Sequence, residues 1–260
     1  AHMTIVSEFG RDQKIPVFSP FTSMGDLPST NSRFYSPSPN MEARANRVVD
    51  FMKKNYPKQK LVIIRDGSSY EKRIVPELLN ALKADGSISY KVENYDRKLL
   101  WANLLSSTDT TIVYIPTNQS VVVNSSLGKI FSTKRGVVVL GEDAWADFED
   151  NDYNFWLSLN VHLVSTDFIN YDDPAVATFR RTFRDTFVMD PSTYAYTGYD
   201  QMRFIGDFLM AFGEHFPAYI NGHDFRYLGA NYHFEERSGC NQNTHVFILR
   251  FRDQKLIPVE

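Results

Sequence analysis

Residues Leu61–Tyr70 read LVIIRDGSSY. The first four are apolar and mostly β-branched, the pattern of a short strand buried on both faces. A charged turn containing Gly67 follows, then the helix-like run IVPELLNALKADG. Strand, polar turn and helix open a βαβ unit, with the turn at the carboxyl end of the strand. In open parallel sheets ligands sit at that end. The pattern recurs: Thr110–Ile115 leads into Pro116–Ser120 and a helix over 121–131, and Gly136–Leu140 leads into Gly141–Trp145. With the alternating strand Ser87–Asn94, these segments predict an α/β fold, a three-layer parallel sheet with helices on both faces.

Working outward, Thr4–Gln13 reads as the tail of a helix, Ile15–Ser19 as a short strand and Phe21–Asn31 as a loop. Ser36–Asn40 (SPSPN) is too rigid for helix and reads as a linker. Met41, Ala45, Val48, Val49 and Met52 form the inward stripe of a helix that Pro57 stops. A short helix is expected over Asp96–Leu105 and a strand over Val161–Ser165. Pro174 opens a helix whose Phe179, Phe183 and Phe187 recur every four residues, which predicts core packing. A further helix, Tyr196–Phe212, closes at Gly213. Tyr232–Glu235, His245–Phe251 and Lys255–Val259 read as antiparallel strands joined by polar turns, SGCNQN and RDQK.

The 260 residues are 43% hydrophobic and 23% charged, so the chain builds a core rather than staying disordered. A formal net charge of -3 gives no basic stripe for nucleic acid. No apolar run reaches bilayer length. Ala1-His2-Met3 reads as a cloning scar. Cys240 is the one cysteine, so neither an internal disulfide nor a cysteine-rich metal site is available. GxGxxG, GxxxxGK[ST], HExxH and GxSxG are all absent, and the histidines match no zinc spacing. No catalytic residue, metal or cofactor is expected. The doublets Glu142/Asp143 and Glu235/Glu236 read more simply as solvated loop charge than as catalytic pairs, because neighbours on a strand face opposite ways.

The loops at the strand ends carry the candidate binding groups. Ser19, Thr22 and Ser23 follow the first strand, and Asp66, Ser68, Ser69 and Tyr70 the second. Thr117, Asn118 and Gln119 follow a third, and Glu142, Asp143 and Trp145 a fourth. Each alone is ordinary loop polarity. Converging on one rim, they suit a small polar ligand.

KIPVFSPFTS, then RFYSPSPN through LVIIRDGSSYEKR, resembles the type 1 periplasmic binding protein fold of the leucine/isoleucine/valine-binding family. VHLVSTDFINYDDPAVATFRRTFRDTF, YAYTGYDQMRFIGDFLMAF and the closing YHFEERSGCNQNTHVFILRFRDQKLIPV are similar to that family's later segments. GEDAW and the GYD helix are most similar to envelope proteins of Bacteroidetes that join LysM repeats to such a module. The resemblance implies two lobes with ligand held between them by hinge motion. One lobe would be complete, 36–161 with 225–260. The other would be partial, 4–34 with 165–222, because strand–helix units that begin family members are missing. Phe34–Ser36 and Ser165–Asp167 would be hinges, and the tail a hairpin. An open sheet edge would favour a homodimer.

Position by position, the family's first-lobe contacts fall on Phe21, with Thr22 beside it, and Ser23. Its second-lobe tyrosine falls on Tyr70, next to Ser69. Its second aromatic falls near Asn118, a departure. The carboxylate that meets a ligand ammonium falls on Asp143, close to Trp145. Glu71 stands where the family has Gly. The implied role is non-catalytic recognition of a small polar ligand (amino acid, peptide or muropeptide-like) in the periplasm or cell envelope, without nucleic acid or a transmembrane segment. Peptidoglycan association would come through repeats beyond the N-terminus. The alternative is a structural or interaction module with a degenerate cleft.

Overall fold

In the computed structural model, which describes residues 2–19, 31–237 and 239–259, the chain begins with α1 (His2–Asp12), β1 (Val17–Phe18), β2 (Phe34–Ser36) and α2 (Met41–Asn55). There follow β3 (Leu61–Arg65), α3 (Glu71–Asp85), β4 (Tyr90–Asn94), β5 (Thr111–Tyr114), α4 (Ser120–Ser132), β6 (Val137–Glu142), α5 (Tyr153–Ser158) and β7 (His162–Ser165). The rest comprises α6 (Pro174–Phe187), α7 (Thr193–Phe212), β8 (Asp224–Arg226), β9 (Asn231–Arg237), β10 (Cys240–Asn243), β11 (Phe247–Arg252) and β12 (Lys255–Val259). Two compact units result, residues 1–40 with 166–246 and residues 41–165 with 247–260.

The second unit is the α/β body that Leu61–Tyr70 predicts. Its sheet runs β12-β11-β7-β6-β5-β3-β4. The five strands from β4 to β7 are parallel, while β11 returns antiparallel to β7 and β12 folds back on β11. Leu61–Ile64, Thr111–Tyr114 and Val137–Glu142 are buried throughout, as strands covered on both faces must be. The helix α2, packed against α3, β7 and β11, buries Ala45, Val48, Val49 and Met52, and α3 buries Ile74, Val75, Leu78 and Leu82. Gly86 ends α3 in the left-handed conformation (φ 69°), its N–H returning to the Leu82 carbonyl. The helix expected over Asp96–Leu105 is only a 3-10 turn, Trp101–Asn103. Asp96 accepts from the Lys98 N–H at 2.9 Å and holds the chain in a turn instead. The short helix α5, capped by Asp152, is too brief to show a period in sequence.

The first unit has the sheet β1-β2-β10-β9-β8. Its core is aromatic: Tyr35, Phe204, Phe208, Phe216, Tyr232 and Phe234 cluster with Ile220. Phe204 stacks on Phe234 at 5.4 Å and meets Tyr232 at 4.9 Å. On α7 the buried Tyr196, Asp200, Phe204 and Phe208 fall four residues apart. Asp200 accepts from the N–H groups of Leu228, Gly229 and Ala230, clamping the loop before β9. Burial pushes its carboxyl up from the usual range, against the pull of those three donors.

Three expectations are corrected here. Residues 225–246, assigned from sequence to the complete lobe, belong with residues 1–40, because β10 pairs parallel with β2 and antiparallel with β9. Cys240–Asn243, expected from sequence to lie in a connecting turn, is a wholly buried strand. Its amide N–H groups are met internally, Gln242 donating to the Ser38 carbonyl at 2.7 Å and Asn243 to the Pro37 carbonyl at 2.8 Å, although Gln242 Oε1 is buried without a partner. The Phe179–Phe183–Phe187 stripe does not enter the core. In α6 the buried residue is Val176, while Phe179 and Phe183 are half-buried and Phe187 is 59% exposed.

Candidate functional site

β3, β5 and β6 lie side by side and run the same way, so the loops after them share one end of the sheet. Internal bonds lace the three loops together. Asp66 accepts from the Ser68 N–H at 3.0 Å and from the Thr117 hydroxyl. The Thr117 carbonyl in turn accepts the Trp145 indole N–H at 2.7 Å. Gly67 supplies the positive φ (76°) of the first loop. The Glu71 N–H donates to Ser68 Oγ at 3.1 Å, and its carboxylate accepts from the Gly67 N–H and from Arg65. The Ser68–Glu71 bond is one half of a capping box, but the carboxylate returns to the Gly67 N–H, because the Ser68 N–H is taken by Asp66. The departure at Glu71 thus has a physical role: a fully buried carboxylate that pins the loop.

Beneath the rim is a charged cluster built from four elements. Glu142 ends β6, Asp143 begins the following 3-10 turn, Tyr114 ends β5 and Arg44 projects from α2. Arg44 Nη2 donates to Glu142 Oε2 at 2.6 Å and to the Val164 carbonyl at 2.8 Å, and Nη1 donates to Asp143 Oδ2 at 3.1 Å. The Tyr70 hydroxyl donates to Glu142 Oε2 at 2.5 Å, and the Tyr114 hydroxyl to Glu142 Oε1. Burial first, and then the Glu142 charge, push both phenols above the ordinary tyrosine range, so both remain donors. Burial disfavours the Arg44 charge, but Asp143 and Glu142 outweigh it and raise the guanidinium well above its usual value. Glu142 is thus held by three side-chain donors, with at least one on each oxygen.

The fate of each sequence-derived site residue is plain. Ser69 and Asn118 are exposed on the rim, and Tyr70 and Asp143 are partly buried within it. Trp145 is wholly buried; its ring lies where a Cβ on Gly141 would sit at 2.5 Å, so it supports the loop rather than facing solvent. Phe21, Thr22 and Ser23 lie outside the described residues. The solvated-charge reading fails for Glu142, which is 1% exposed, because the strand runs two residues beyond the apolar run that ends at Leu140. Sequence reasoning missed Arg44 and Tyr114. The signal for Arg44 was present: it stands four residues before Val48, on the apolar stripe of α2. Among the described residues no group of His, Cys, Asp and Glu is arranged to hold a metal, and no helix is long and apolar enough to cross a membrane.

A family model described as "Periplasmic binding protein" matches residues 2–218. No curated protein sequence matches. Among solved structures, an ABC transporter substrate-binding protein from Desulfitobacterium hafniense, in complex with Leu, is similar at 16% identity and a TM-score of 0.62, over 98% of this chain and 76% of that one. A branched chain amino acid ABC transporter periplasmic ligand-binding protein from Burkholderia xenovorans gives 13% identity and a TM-score of 0.67, over 98% and 72%. Full-length LpoA from Haemophilus influenzae gives 12% and 0.66, over 99% of this chain and 46% of LpoA. At such identities the likeness concerns the fold.

Proposed function

The chain belongs to the periplasmic binding protein family, and on that footing we propose that it is a non-catalytic module of the periplasm or cell envelope that binds a small polar ligand at the rim of its seven-stranded sheet. One observation carries the reading. Asp66, Thr117 and Trp145 lace the three loops from within, leaving Ser69 and Asn118 exposed and Asp143 partly exposed at the same end of the sheet. Preorganised polar groups on a rigid edge suit recognition, since little ordering entropy remains to be lost on binding. Ligand classes to test are amino acids, short peptides, muropeptides and simple carboxylates. Calorimetric titration of the full-length protein should give saturable heat with a member of this panel. Asp143→Ala and Tyr70→Ala should weaken it about tenfold or more while the circular dichroism spectrum stays folded. No heat from any member contradicts the reading.

A second reading, an interaction module displayed beside LysM repeats on peptidoglycan, is favoured by the degree to which Glu142 and Trp145 are already engaged internally. It expects rim substitutions to leave every interaction of the full-length protein untouched.

A further inference from the structure

Glu142 and Asp143 are adjacent carboxylates where β6 ends beneath the rim, the natural anchor for a positively charged ligand group. Arg44 already holds that position. Its fork spans both carboxylates, at 2.6 Å and 3.1 Å. Every carboxylate oxygen has a donor: Tyr114 on Glu142 Oε1, Arg44 and Tyr70 on Glu142 Oε2, the Ala144 N–H on Asp143 Oδ1 and Arg44 on Asp143 Oδ2. An incoming ammonium carries three donors and needs acceptors for them. Of these two carboxylates it would find accessible only the exposed side of Asp143, whose side chain is 36% accessible. Nor can Arg44 readily swing away. Its neighbours Ala43, Ala45, Val48 and Val49 are buried, and its own side chain is 7% accessible.

We propose that Arg44 is the protein's own occupant of a cation site, and that it thereby sets the ligand class of the rim: neutral or anionic polar molecules, not ligands anchored by an ammonium group. This inference rests on the reading of the rim as a binding surface for its ligand-class half. Its first half, the filled cation site, stands without it.

The test has two arms. In the first, thermal unfolding of the wild type and of Arg44→Ala is followed with and without ethylguanidinium chloride, against sodium chloride at equal ionic strength. Filling the vacated site should raise the variant's Tm by roughly 2–4 °C while leaving the wild type unraised. A variant that folds but gains nothing from ethylguanidinium overturns the proposal. In the second arm, which needs no Arg44 variant to fold, wild-type amide NMR spectra are recorded with ethylammonium and with L-leucine. Unmoved amides at Asp143 and Ala144 are expected. Saturable shifts there that Asp143→Asn abolishes overturn the proposal. If no solute of any class binds the rim, the proposed function fails, while rescue by ethylguanidinium still reports on Arg44.

Discussion

Two buried polar clusters, one in each unit, solve the same problem by opposite means. Beneath the rim of the seven-stranded sheet the groups are ionic: one guanidinium, two carboxylates and two phenols. In the five-stranded sheet they are neutral. Asn241 donates to the Ser32 carbonyl, Gln242 to Ser38, and Asn243 to Pro37 and Asn231, while Asn243 Oδ1 accepts from the His233 and His245 N–H groups. An amide grips the backbone of neighbouring segments at modest desolvation cost and without regard to pH. An ion cluster is costly to bury and intolerant of losing one member, but it sets a local charge pattern that a ligand can sense. The neutral cluster reads as architecture and the ionic one as chemistry.

The comparison breaks most sharply at Arg44. Arg44→Ala leaves Glu142 buried without its cation and should lower stability by about 3–5 kcal/mol in urea unfolding; a loss below about 1 kcal/mol would mean that the cluster is effectively solvated. The next effect is acid sensitivity. Burial lowers the pKa of His162, on β7, from 6.5 to about 4. As pH falls through that window the unfolded chain takes up a proton that the folded chain refuses. Stability should therefore be full above about 6.5 and decline toward about 4, by up to roughly 3 kcal/mol. His162→Leu should flatten that part of the pH profile.

In the neutral cluster, Asn243→Ala should cost about 2 kcal/mol, with the same penalty at pH 5 and pH 8. A pH-dependent penalty would erase the contrast. The smallest effect is expected for Tyr70→Phe. Glu142 keeps Arg44 and Tyr114, so the loss should be near 1 kcal/mol.

The α/β body was legible because buried parallel strands are written as short apolar runs, and LVII, TIVY and VVVL each mark one. The shared end of their loops followed from strand direction alone. Other features hide because the chain writes them in the wrong alphabet. CNQN has the composition of a turn yet forms an inner strand, since its amides find carbonyl partners at Ser32, Pro37 and Ser38, far away in sequence. Arg44 sits within an apolar stripe, where a period count treats it as an interruption. Tyr114 ends a buried strand and reads as one more core aromatic, although its hydroxyl meets Glu142. Phe187 misleads in the other direction, for a perfect four-residue spacing does not reveal whether anything covers the stripe.

The most direct test of the rim as the recognition surface is to map where a bound solute is felt. Two-dimensional amide NMR of the full-length protein, titrated with simple carboxylates, neutral sugars and N-acetylated small peptides, should show saturable shifts centred on Ser69, Tyr70, Asn118 and Asp143. The amides of the β10 cluster should stay still. Saturable shifts confined to the other unit, or to the hairpin of β11 and β12, would contradict the account.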